Sequence, residues 1–113
     1  MLPEKDRVRL LHMRDHAQEA WLLSKGRSLD DLKTDRMLNL SLVRLLEIVG
    51  EAASRVSEET RSLFPEIPWS QIVSLRNRLI HGYDNVDFNI LWNIINNEIP
   101  PLVEDLKRII EKE

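Results

Sequence analysis

The sequence predicts an all-α protein, an up-and-down bundle of four main helices with short additional helical turns. Three observations predict it. Apolar residues recur three and four apart over long stretches. No strand signal is longer than a few residues, and no repeat or low-complexity segment interrupts the pattern. Pro, Gly, Ser and Asp fall where helices should start and stop. The 113 residues are 42% hydrophobic and 31% charged, which suits one domain, 1–113, around one core.

The first helix is expected from about Glu4 to Ser24, with Pro3 at its start and Gly26 after its end. Its apolar residues are Val8, Leu11, Ala17, Trp21 and Leu22, opposite a strongly charged side. His12 and His16 stand four apart, as a metal-binding pair can, but no third ligand follows at metal-site spacing. They read as solvated or cleft-lining side chains, and no metal or cofactor is expected. Ser28-Leu29-Asp30-Asp31-Leu32 reads as a capped helical turn.

A long central helix is expected from about Asp35 to Val56. Leu38, Leu42, Leu45, Val49, Ala52, Ala53 and Val56 mark one apolar face, and Leu40, Val43 and Gly50 another, so it should pack on two sides. Gly50 costs roughly 1 kcal/mol against alanine in a helix, which points to close approach by a neighbour. Glu47 and Glu51 lie one turn apart on the Gly50 face. They either pair with Arg44 and Arg55 along the helix or hold a cation from another element.

A short helical piece follows at Ser57–Arg61 and ends before Pro65. Ile67-Pro68-Trp69 forms an elbow into the next helix. That helix should reach His81 and stop at Gly82. Tyr83-Asp84-Asn85-Val86 reads as a loop, and Asp87 as the N-cap of the last helix. Pro100-Pro101 should kink or break that last helix. Trp21 and Trp92 read as core or interface aromatics.

The helix from Trp69 carries the polar chemistry. Trp69, Ile72, Val73, Leu79 and Ile80 form an apolar stripe, and Arg76 and Tyr83 fall within it. Asn77 and His81, four apart, are surface neighbours on the adjoining face. An arginine in an apolar stripe must find a carboxylate, a phosphate or solvent. One reading is a structural ion pair with Glu47 or Glu51. The other is an arginine held at a cleft or subunit seam and aimed at a phosphate.

Arg76, His81 and Tyr83 spell Arg-x4-His-x-Tyr, which resembles the signature of HEPN-domain ribonucleases. Leu46-Glu47-Ile48-Val49-Gly50-Glu51-Ala52 comes before it, then Phe64-Pro65-Glu66-Ile67-Pro68-Trp69. Val86-Asp87 and Trp92 follow. This ordered set is similar to the HepT branch of the superfamily (DUF86) over nearly the whole chain. The resemblance implies a metal-independent endoribonuclease toxin of a type VII-like toxin–antitoxin system. It implies a partner, a minimal nucleotidyltransferase antitoxin, and an RNA substrate such as tRNA or mRNA. Arg76 and His81 would be the catalytic pair, and Tyr83 the tyrosine that the antitoxin AMPylates.

The residue types permit that chemistry. Metal-free RNA cleavage needs a group that moves protons and a cation for the phosphoryl charge. His81 suits the first role and, in the last turn of a helix, would be favoured in its protonated form. The planar fork of Arg76 suits the second. Asn77 can orient the phosphate or the imidazole. Residues five apart diverge by about 140° on a regular helix, so one helix cannot easily aim both at one phosphate. Either the Gly82 end unwinds or two chains share the site. Family resemblance favours a homodimer with the two motifs facing across a cleft.

Composition sets further bounds. Cysteine is absent, which excludes disulfide and thiolate chemistry. No apolar run approaches a membrane span and no signal-peptide layout opens the chain, so no membrane association and a cytoplasmic location are expected. Net charge is −3, so an RNA footprint should be a small basic cleft, with Arg7, Arg9, Arg14, Arg76 and Arg78 as the gathered cations. The acidic balance also admits a second class, a non-catalytic helical dimer that docks and regulates a nucleotidyltransferase. A metal-dependent enzyme built on His12 and His16 is a third.

Overall fold

The computed structural model describes residues 1–83 and 85–113. The described residues are mostly helical. Helix α1 spans Glu4–Ser24, α2 Leu29–Thr34, α3 Arg36–Ser54 and α4 Glu58–Leu63. Helices α5 (Trp69–Val73) and α6 (Leu75–Leu79) lead into two short antiparallel strands, β1 (Ile80–His81) and β2 (Asn85–Val86). Helix α7 (Phe88–Asn93), a π-helical turn (Ile94–Glu98) and α8 (Ile99–Glu111) complete the chain. No helix among the described residues is long and apolar enough to cross a membrane.

The buried side chains form one hydrophobic cluster. α1 lies against both α3 and α8, and α3 also packs on α5 and α6. Asp6 near the start of α1 reaches Ser57 beyond the end of α3, so those two helices are antiparallel. The Leu2 amide donates to Glu113 Oε1 at 2.8 Å, so α8 also runs against α1. The inward face of α1 is Leu10, Met13, Ala17 and Ala20, a 3-4-3 spacing. The sequence-based face differs. Only Ala17 belongs to this line, and Leu22 is exposed, because four leucines, two alanines and a tryptophan offer α1 more than one apolar register.

α3 is apolar on two sides as expected, except that Leu40 is exposed with Met37. Buried Asn39 donates to the Leu32 carbonyl at 3.0 Å and ties α2 to α3. Asp35 caps α3 by accepting from the Leu38 amide, and Ser28 with Asp31 closes a capping box on α2. Gly50 is where α5 comes closest. A Cβ there would stand 2.9 Å from the Ile72 carbonyl oxygen, so only glycine permits this approach.

Three expectations are corrected between Trp69 and Val86. The motif helix is interrupted at Ser74, whose hydroxyl donates to the Ser70 carbonyl at 2.8 Å, a back-bond that bends helices. It also ends at Leu79 rather than His81. Ile80 is extended (φ −114°, ψ 124°) and pairs with Val86, while the Asp87 amide donates to the Leu79 carbonyl at 2.9 Å. The expected loop is therefore partly strand at Asn85–Val86, turned by Gly82 at φ +73°; Asp84 lies outside the described residues. Pro100-Pro101 fall in the first turn of α8, just after the π-helical turn, so the last helical region is divided there as expected.

Candidate functional site

The buried line of the motif helix differs from the expected stripe. Ile72, Leu75 and Leu79 are the residues that reach the core. Val73 is exposed, and Arg76 and Tyr83 lie outside the buried line. Leu75 was overlooked although it stands three residues after Ile72 and four before Leu79, the spacing of one helical face. Arg76 is thus not a buried cation. Its side chain is 61% exposed, with Nε 3.4 Å from Glu47 Oε2, while Glu47 is only 19% exposed. The less exposed partner is the carboxylate, so Glu47 holds the Arg76 guanidinium at Nε while most of that side chain stays exposed. Glu51 lies 3.9 Å from Arg44 instead, as spacing along α3 allows.

Arg76, Asn77, Glu47 and Glu51 line one groove, floored by Gly50 between α3 and the α5–α6 junction. His81 lines a different groove, with Arg78, Asp87, Asn89, Ile90 and Asn93. Within one chain the fold therefore brings Arg76 and Asn77 together and sets His81 apart. The end of the helix does unwind, but the hairpin carries His81 toward α7. The helix-end argument for a protonated His81 no longer applies, because the residue sits in β1.

A carboxylate lies near it instead. His81 Nε2 stands 4.0 Å from Asp87 Oδ2, while Asp87 Oδ1 accepts from the Ile90 amide at 3.1 Å as the N-cap of α7. Sequence reasoning found the cap and missed its second neighbour. The available signal was Ile80 and Val86, two β-branched residues flanking a Gly82-containing turn, which pair and fold Asp87 back onto His81.

Arg78, expected among the free cations, is neutralised. Its Nη1 and Nη2 donate to Glu98 Oε1 and Oε2 at 2.8 and 2.5 Å, and these bonds hold its pKa above the ordinary value. Arg14 pairs with Asp15 at 2.8 Å. His16 Nδ1 lies 2.7 Å from the His12 carbonyl, so the ring turns back on its own helix. Among the described residues no group of three or more His, Cys, Asp or Glu is placed to hold a metal. Tyr83 follows Gly82 at the hairpin tip and is fully exposed. Trp21 and Trp92 are partly buried against the core.

The helical scaffold thus presents on its surface an arginine beside Glu47, an asparagine, and a histidine beside Asp87. The comparisons name the family. The chain belongs to the HepT-like ribonuclease family, whose profile matches residues 13–109. It is 40% identical over 89 residues to a provisionally named RNase of Caldanaerobacter subterraneus subsp. tengcongensis, covering 79% of this chain and 80% of that one. It is 37% identical over 73 residues to a provisionally named ribonuclease HepT of Thermococcus cleftensis, covering 65% of this chain and 66% of the relative. A provisionally named RNase of Methanocaldococcus jannaschii is 30% identical over 93 residues, covering 82% and 85%. No solved structure matches the chain.

Proposed function

We propose that the protein is a metal-independent endoribonuclease acting as the toxin of a toxin–antitoxin pair. The observation that carries this reading is the mostly exposed Arg76 side chain, held at Nε by Glu47 beside Asn77, in a member of the HepT-like ribonuclease family. In the reaction the ribose 2′-oxygen attacks the adjacent phosphorus and loses its proton. The 5′-oxygen of the next nucleotide leaves and gains one, so the products are a 2′,3′-cyclic phosphate and a 5′-hydroxyl. His81 moves the protons, Arg76 stabilises charge on the non-bridging oxygens, and Asn77 orients the phosphate.

The separation of the Arg76 and His81 grooves supports a homodimer in which one copy's His81 groove faces the other copy's Arg76 groove. Two copies also supply two imidazoles, one to accept a proton and one to donate. The exposure of Tyr83 supports its role as the site of AMPylation by a minimal nucleotidyltransferase antitoxin. There the phenol oxygen attacks the α-phosphorus of ATP, pyrophosphate leaves and the phenol proton is lost. The added anion beside the cleft repels RNA.

The test is cleavage of total RNA and tRNA in chelator by protein made without any nucleotidyltransferase, compared with His81→Ala. Cleavage by the parent and none by the variant is the expected result. If folded parent and variant are both inert, the enzyme reading fails for these substrates. The protein is then better read as a non-catalytic dimer that docks a nucleotidyltransferase. Equal cleavage by both removes His81 from the site.

A further inference from the structure

Between α1 and α3 lies a groove that the ribonuclease reading leaves without a role. It is lined by Arg9 and His12 of α1 and by Ile48, Glu51, Ala52 and Arg55 of α3. The antiparallel packing of α1 on α3 sets the first turns of one helix beside the last turns of the other, which is how residues 9 and 12 meet residue 55. The arginines here differ from most others on the surface. Arg14, Arg27, Arg76, Arg78 and Arg108 each have a carboxylate partner, whereas Arg9 and Arg55 have no ion-pair partner among the described residues. Glu51, the one acid in the groove, is already drawn to Arg44.

Two guanidinium groups and an imidazole around one small recess supply the donor types that a phosphodiester takes. Arginine forks match its oxygens, and its negative charge offsets their mutual repulsion. The position adds a direction. Glu51 lines this groove and the Arg76 groove alike, so the two flank the same turn of α3. A helix with its side chains is about 10–12 Å across, a span that a few linked nucleotides bridge.

We propose that Arg9, His12 and Arg55 form a second phosphate subsite, which holds the backbone of single-stranded RNA a few nucleotides from the bond cleaved at Arg76. The inference rests on the ribonuclease reading for the identity of the strand. Arg9 and Arg55 grip the non-bridging oxygens and His12 adds a hydrogen bond. The subsite sets the register of the strand and takes no part in the chemistry.

The experiment measures binding of a 5′-fluorescein-labelled 12-nucleotide single-stranded RNA by anisotropy over a salt series. The protein is the full chain carrying His81→Ala, so that the probe stays intact. It is compared with the same chain carrying Arg9→Gln and Arg55→Gln, and with Lys25→Gln and Lys33→Gln as a charge-matched control. The arginine pair should weaken binding about tenfold and reduce the slope of log K against log salt by about 0.7, one phosphate contact on a single strand. The lysine pair should change neither. In the active chain the arginine pair should raise KM and leave kcat unchanged. Parent-like affinity and slope in the arginine variant would overturn the subsite while leaving the ribonuclease reading intact, provided the active parent still cuts RNA. An altered sedimentation coefficient with unchanged RNA binding would instead make this face a protein interface, and also overturns the subsite. No RNA binding and no cleavage by the parent removes both readings.

Discussion

His81 Nε2 faces Asp87 Oδ2 at 4.0 Å, and the same aspartate caps α7. One side chain therefore has a structural role and an electrostatic one, and substitutions can separate them. Asparagine caps a helix about as well as aspartate, but carries no charge. Asp87→Asn should keep the melting temperature of the parent and lower kcat for RNA about tenfold with KM unchanged. Asp87→Ala should lose the same activity and about 1 kcal/mol of stability besides. Full kcat in Asp87→Asn would show that the residue is a cap and nothing more.

Glu47 should matter for activity more than for stability. Its partner Arg76 is mostly exposed, so the pair contributes only about 0–1 kcal/mol after solvent screening. Glu47→Gln should hold the denaturation midpoint nearly constant and reduce kcat/KM roughly tenfold, about 1.4 kcal/mol of transition-state stabilisation. A large loss of stability in urea titration would contradict the exposed geometry.

Gly50→Ala tests the packing of α3 on α5. Helix propensity alone favours alanine by about 1 kcal/mol. The Ile72 carbonyl at 2.9 Å belongs to the backbone and cannot swing aside. The net result should be destabilisation of about 1–3 kcal/mol, as overpacking costs, visible by thermal unfolding. A stabilised variant would mean that the two helices are not in contact as described.

Asp6 should make folding sensitive to acid. It is nearly buried, and burial by itself would raise its pKa. Hydrogen bonds from the Ser57 hydroxyl, the Thr60 hydroxyl and the Ser57 amide outweigh that and hold the pKa below the ordinary carboxylate value. The unfolded chain then binds more protons than the folded one between the two values. Stability is present above the unfolded value, near pH 4, and is lost as pH falls through the lower folded value. Asp6→Ala should remove this acid slope and cost about 2–3 kcal/mol at neutral pH, since two hydroxyls and an amide lose their acceptor. An unchanged slope in the variant would place the acid sensitivity elsewhere.

Tyr83→Phe should cleave RNA like the parent, because the ring at the hairpin tip is free of the fold, and should escape neutralisation by the nucleotidyltransferase. Intact-mass measurement after incubation with the antitoxin and ATP should show one AMP on the parent and none on the variant. AMP on the variant would put the acceptor at another residue.

Where one register dominates, the helices were legible in the sequence. The bounds of α1 follow from Pro3 and the Gly26 exit, and Ser28 and Asp87 were readable as caps because capping is local chemistry. The inward face of α1 and the stripe of the motif helix were not. Both have more apolar positions than one face can use, and their neighbours decide which ones are buried. The expected partner of Arg76 was named as Glu47 or Glu51, and only packing could choose between two carboxylates one turn apart.

The sequence by itself determined the helical class, the polar residues available for phosphate chemistry and the family to which the chain belongs. Composition, periodicity and an ordered motif are properties of the chain alone. The tertiary structure decided that Arg76 is exposed and anchored by Glu47, that His81 leaves its helix for a hairpin beside Asp87, and that the two lie in separate grooves. The reason is that a helix turns about 100° per residue only while its backbone bonds continue. The pairing of Ile80 with Val86 ends those bonds after Leu79, and where the side chains beyond it point is then set by the hairpin and its neighbours.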